Sequence, residues 1–169
     1  MYKIYLAASF EWIELIREYA RILRSLGFVV TSRWHDEQSY SDPKTNISKP
    51  DGSTDLSREE QAFGYACRDI RNILEADTLI LFTPGTAFIR NTRLAEFGGA
   101  LFTGRKCIVI GPENPELRAN IDTIFVFLKS LPPDLQAAGI QPVEHFHKWE
   151  EWLGTLIARR TVVQSACEQ

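Results

Sequence analysis

Cysteine is scarce in this chain: three among 169 residues, Cys67, Cys107 and Cys167. The number is odd, and no two of them share a CxxC or similar ligand spacing. That argues against a disulfide framework or a zinc site and for a reducing compartment, so a cytoplasmic protein is expected. No apolar run reaches the ~18 residues that a membrane-spanning helix needs, and no membrane partner is expected. The first residues lack the basic stretch and apolar core of a secretion signal. Neither charge sign dominates. With 19 Lys and Arg against 22 Asp and Glu, the net charge is −3. Little positive charge is left over to neutralise phosphates, which speaks against nonspecific binding of duplex nucleic acid. There is no GxGxxG or Walker loop, and no internal repeat. What is present is 44% hydrophobic and 24% charged sequence, the composition of one globular domain with a single core.

The apolar residues are arranged in two periods. Lys3 to Ala8 is a short run suited to a strand buried on both faces. From Phe10 to Leu26 the residues Trp12, Ile13, Leu15, Ile16, Tyr19, Ile22, Leu23 and Leu26 recur at helical spacing. Ser9 is placed as an N-cap and Gly27 as the residue after the helix. Phe28 to Trp34 reads as a second strand, so the opening is a βαβ unit with a right-handed crossover. His35 to Ser57 is polar and almost free of apolar residues; it is either a flap near a site or surface disorder. A helix over Arg58–Ala76 follows, with Ala62, Ala66, Ile70, Ile73 and Leu74 as its apolar stripe. Thr78–Thr83 and Lys106–Ile110 are buried strands on either side of a helix over Thr92–Thr103. Ile124–Leu128 fits strand or helix equally well. Gln141–Phe146 is a last strand and Lys148–Arg160 a last helix. The domain is therefore set at residues 1–160, with the flap at 35–57 and a frayed tail at 161–169. Alternating strands and helices imply an α/β fold, a parallel sheet covered on both faces in three layers.

Such sheets bind ligands beyond the carboxyl ends of their strands. Four stretches meet at that rim: Ala7–Phe10, Arg33–Asp36, Thr83–Asn91 and Gly111–Asn114. The helix bearing Glu96 starts there. Glu96 lies among Leu94, Ala95, Phe97, Gly98 and Gly99, and Asp69 lies at the edge of the stripe on the preceding helix. Two such carboxylates can divide labour, one attacking or holding a cation and the other handling a proton. The plainer alternative is a helix-end Glu and an Asp paired with Arg68, Arg71 or Arg93. Tyr5 needs a partner for its hydroxyl if buried and could orient a carboxylate. The small residues Ala7 and Ala8, with Ser9 and Phe10, let a ligand approach the backbone at a helix start. Ser9 either donates to that ligand or caps the helix. Arg33 could meet an anion, and Trp34 either stacks on a base or fills the core. His35 with Asp36 lacks a nucleophile motif, and His145 with His147 lacks a third ligand, so neither a triad nor a metal site is expected.

Several of these pieces occur together: Ile4-Tyr5-Leu6-Ala7-Ala8-Ser9-Phe10, Thr31-Ser32-Arg33-Trp34, Arg68-Asp69-Ile70, Ala76-Asp77-Thr78-Leu79-Ile80-Leu81-Phe82, and Ala95-Glu96-Phe97-Gly98-Gly99-Ala100-Leu101 followed by Gly104-Arg105-Lys106. In order and spacing they resemble the nucleoside 2-deoxyribosyltransferase superfamily, over roughly residues 2–112. The resemblance implies a flavodoxin-like doubly wound sheet, with Glu96 as nucleophile, Asp69 as the acid that protonates the departing base, and Tyr5 positioning Glu96. It implies a nucleoside or nucleoside 5′-monophosphate as substrate, with the deoxyribosyl group passing to a second base or to water. No metal or organic cofactor is implied, and a homo-oligomer is. Gly98 falls with Ala8, Ser9, Phe10, Arg33 and Trp34 among the substrate-binding residues. Many transferases carry an aspartate where this chain has Arg90. Arg90 and Arg93, with Asn91 between them, favour an anionic ligand such as a 5′-phosphate. A nucleotide-binding module without turnover is the rival reading.

Overall fold

The computed structural model describes residues 1–36, 58–83, 91–111 and 130–167. Residues 37–57 of the expected flap, Arg90 and the Ile124–Leu128 segment lie outside the described residues, and Asn91 is described in its backbone alone. In chain order the elements are β1 (Lys3–Ala7), a 3-10 turn (Phe10–Trp12), α1 (Ile13–Ser25), β2 (Val29–Val30), α2 (Arg58–Glu75), β3 (Thr78–Phe82), α3 (Asn91–Phe102), β4 (Lys106–Ile110), α4 (Pro133–Ala137), β5 (Glu144–Phe146) and α5 (Trp149–Cys167).

The five strands form one sheet in the order β2-β1-β3-β4-β5, all parallel. That order is the flavodoxin-like one that the family resemblance implied. Right-handed crossovers place α1 and α5 on one face and α2 and α3 on the other. Ring contacts agree. Tyr19 of α1 stacks on Trp149 of α5 at 4.1 Å and on Phe82 of β3 at 5.5 Å. Opposite, α2 packs along α3. The core runs through β1, β3 and β4, whose residues Ile4–Ala7, Leu79–Phe82 and Cys107–Ile110 are buried.

The end of α1 follows directly from its sequence. Gly27 adopts φ 83°, a conformation open to glycine. The Gly27 N–H donates to Arg24 O and the Phe28 N–H to Leu23 O, at 2.9 and 3.0 Å. This paired Schellman closure turns the chain sharply into β2.

β2 is shorter than the Phe28–Trp34 strand expected. After Thr31, whose N–H donates to Ile4 O at 2.8 Å, side chains take over the ladder. The Leu6 N–H donates to Ser32 Oγ at 3.1 Å, and Trp34 Nε1–H donates to Leu6 O at 2.8 Å. Both backbone groups of Leu6 on that edge are satisfied without a strand partner.

The other differences are local. The helix expected to start at Phe10 opens as the 3-10 turn, and Ser9 stands before it. Trp12 N–H donates to the Ser9 carbonyl, but the Ser9 hydroxyl makes no cap bond. β5 begins at Glu144 rather than Gln141. α5 continues to Cys167, seven residues past Arg160. The expected stripe of α2 is split. Ile73 is buried, whereas Ile70 is 57% and Leu74 47% exposed, beside Phe63 at 72%. Helical spacing revealed the stripe; the side of it that meets the sheet was decided by α3.

Candidate active site

Tyr5 is the third residue of β1 and is fully buried. In a parallel sheet, residues paired across strands share a face. Tyr5 pairs with Leu79, and Leu79 with Cys107, so this row faces α2 and α3. Glu96 lies in the second turn of α3. Tyr5 Oη donates to Glu96 Oε1 at 3.2 Å, joining residues 91 apart in sequence. Burial pushes the Glu96 carboxyl up, the Asp69 charge adds to that, and the Tyr5 hydrogen bond and the Arg93 charge oppose it. The balance leaves its pKa at about 7.

Asp69 comes from the facing side of α2. With Glu96 it lines a groove of about 430 Å³ between the two helices. Ala66, Ala95 and Gly99 leave its floor low, and Ile70, Ile73 and Leu74 give it an apolar wall. Asp69 Oδ1 lies 3.6 Å from Arg68 Nε, and the Arg68 guanidinium sits 5.2 Å over the Tyr65 ring. Arg93, three residues before Glu96 on α3, is only 5% exposed. Its Nη1 donates to the Phe82 carbonyl at 3.3 Å, at the carboxyl end of β3.

The four residues Tyr5, Asp69, Arg93 and Glu96 are thus brought together, by hydrogen bond, shared groove or field. The remaining expected site residues are more dispersed. Ala8 and Ser9 are half-buried; Phe10 and Arg33 are exposed, at the carboxyl ends of β1 and β2. None of them lines the groove. Trp34 is buried and committed to Leu6, which is the core-filling alternative. Gly98 is half-buried and tolerant, since an added Cβ would meet Phe102 at 4.0 Å. Ala95, Gly99 and Thr103, which the sequence reading did not single out, line the groove. Their spacing of four residues from one another, along the face beside Glu96, is the signal in the sequence. Asn72, a turn beyond Asp69, is buried too and was passed over.

Both histidine arrangements make polar contacts of their own. His35 is fully buried, with Nε2 3.1 Å from Ser32 Oγ and Nδ1 3.2 Å from Asp36 Oδ1. Burial lowers its pKa to about 4. Arg17 donates to the His35 carbonyl and Arg24 pairs with Asp36, so the cluster clasps α1 to the chain leaving β2. His145 Nε2 lies 2.9 Å from the Gly111 carbonyl oxygen, with the His147 ring against it. Among the described residues no three His, Cys, Asp or Glu side chains are grouped as a metal site would require. No helix there is long and apolar enough to cross a membrane.

No protein-family model and no curated protein matches the chain. Among solved structures it is similar to the CMP N-glycosidase BcmB of Clostridium botulinum. The likeness covers 93% of this chain and 98% of that one, with a TM-score of 0.52 and 19% identity. The two proteins share a fold. At this identity the likeness speaks for architecture, and the chemistry of the groove has to be argued from Tyr5, Asp69, Arg93 and Glu96.

Proposed function

We propose that the protein is an N-glycosyl enzyme that cleaves the bond between base and sugar in a nucleoside or nucleoside 5′-monophosphate. The observation that carries this reading is the buried Tyr5–Glu96 hydrogen bond, with Asp69 in the same groove. A carboxylate held by a phenol, beside a second acid, matches the needs of retaining glycosyl chemistry. Glu96 attacks the anomeric carbon. The pair reacts with its one proton on Asp69 and its charge on Glu96; the glycosidic bond breaks with its electron pair going to the base nitrogen, and Asp69 supplies that proton. In the second step an acceptor attacks the same carbon, Glu96 leaves as carboxylate, and the acceptor's proton returns to Asp69. Retention follows from the two inversions.

The acceptor is water in the hydrolase form of this proposal and a second base in the transferase form. A pKa of about 7 suits the task, because Glu96 is partly ionised near neutrality and gains further as positive charge develops on the sugar. Arg93, buried at the rim, supplies positive charge for a 5′-phosphate. Ala8, Ser9, Phe10 and Arg33 are proposed to extend the site along the rim, with Arg90, Asn91 and Gly98.

A homo-oligomer in the cytoplasm belongs to the same proposal. Exposed Ile70 and Leu74 line the groove with the small residues Ala66, Ala95 and Gly99, and Phe63 and Phe102 are exposed on the same two helices. Bulky and small residues on one face make it complementary to itself, as a two-fold dimer contact must be. Analytical ultracentrifugation reads the outcome, and a strictly monomeric chain would refute it.

The deciding experiment is chromatography of deoxynucleosides, ribonucleosides and their 5′-monophosphates after incubation, with and without an added base. Release of free base by the native chain, lost in Glu96→Ala, is the expected result. Binding without base release would favour the sensing module, and undiminished release by the variant would remove Glu96 from the mechanism.

A further inference from the structure

Among the described residues, an apolar cavity lies on the far side of the sheet from Glu96, at the amino ends of the strands. It measures about 840 Å³, within the range of small-molecule sites. Thr78 opens β3 and Lys106 opens β4. Thr78 and Ile108 alternate with Leu79 and Cys107, so they face α1 and α5 rather than the Tyr5 side. The cavity therefore sits on the other face of the sheet from the acid pair, and at its other end.

Its walls and its mouth differ in character. Phe28, Ile108, Trp152 and Leu156 give it an apolar body. At the mouth, Lys106 Nζ lies 2.6 Å from Glu144 Oε1, and Arg159 Nη1 lies 3.9 Å from the same oxygen. Two cations share one carboxylate, so one positive charge is left over on a chain whose net charge is −3. Arg159 is 62% exposed and can turn toward an incoming group.

We propose that this cavity is a second ligand site, taking a small organic anion with an apolar body of one or two rings or a medium-length alkyl chain. The body lies against Trp152 and Leu156, and the anionic group meets Arg159 and Lys106. Apolar walls alone would accept a neutral ligand. The surplus cation at the mouth selects a carboxylate or sulfonate and leaves a cationic ligand unmatched.

The probe is 1-anilinonaphthalene-8-sulfonate, read by energy transfer from tryptophan, with decanoate as competitor. Native chain should bind the dye and release it to decanoate. Arg159→Glu, an exposed substitution, should weaken binding about tenfold. Leu156→Trp should fill the body and abolish it. Circular dichroism establishes that both variants are folded, and base release from Glu96 should be unchanged in both. No dye binding by the native chain would overturn the proposal. So would equal binding by native chain and both variants, which would put the dye in the α2–α3 groove.

Discussion

Replacing Glu96 by Gln tests the acid's environment independently of any substrate. Its pKa is about 7 in the folded protein against an ordinary 4.5. The folded state thus holds the proton more tightly than the unfolded chain. Stability from this group is complete below pH 4.5 and is lost as pH rises toward 7, where the buried carboxyl must ionise. The full loss is about 3 kcal/mol above pH 7. Glutamine keeps the shape and an acceptor oxygen for Tyr5 but cannot ionise. By about pH 8, Glu96→Gln should therefore gain about 3 kcal/mol relative to its position in strong acid, and at about pH 5 only about 1 kcal/mol. Urea denaturation of both proteins at the two pH values reads the difference. Titrating groups remote from Glu96, His35 among them, act on both proteins alike and cancel. A stability difference that does not change between the two pH values would show that Glu96 is not held near 7 by burial and Asp69. The same variant should lose base release altogether, a case of stability and activity pulling apart at one residue.

Three further outcomes are expected. For base release by native chain, kcat/KM should fall about tenfold per pH unit below pH 7, as Glu96 protonates. Tyr5→Phe removes a contact that favours the ionised acid, so this limb should move to higher pH; an unmoved limb would separate Tyr5 from Glu96. In the Glu96→Gln background, which lacks the opposing contribution of that acid, stability should fall as pH drops from 6.5 to 4, because the unfolded chain protonates its histidine while buried His35 stays neutral to about 4. The loss is about 3 kcal/mol across that window; His35→Gln should flatten the urea midpoint there, and an unchanged slope would assign it to other groups. Gly111→Ala should cost about 3 kcal/mol or more. A Cβ there would lie 2.3 Å from both oxygens of Thr83, at φ 150°. An unaltered melting temperature would refute that.

Legibility varied with the range of the interactions. β1, β3 and β4 were readable to within a residue because a strand buried on both faces is a continuous apolar run. β2 was not, because its end depends on Ser32 and Trp34 reaching Leu6 on a strand 26 and 28 residues away. The exposure of Ile70 and Leu74 was hidden for a similar reason. Periodicity finds an apolar face but says nothing of its partner, and here α3 meets α2 through small residues. Tyr5, Asp69 and Glu96 could be nominated singly as acids and a phenol near a sheet. Their meeting rests on the 2-1-3-4-5 strand order, which sequence pattern alone does not impose. Arg93 was chosen for a ligand; its bond to the Phe82 carbonyl gives it a place in the rim itself.

The handover at Leu6 has an evolutionary side. A strand that ends on another strand's backbone constrains whatever follows it, because its register propagates. Here two side chains close the ladder, and Arg17 and Arg24 pin His35 and Asp36 directly afterwards. The β1–β2 edge of the sheet is complete before residue 37 begins. Changes in length or composition between residues 37 and 57 leave the hydrogen bonds of that edge intact, so this is where the chain can diversify without undoing it.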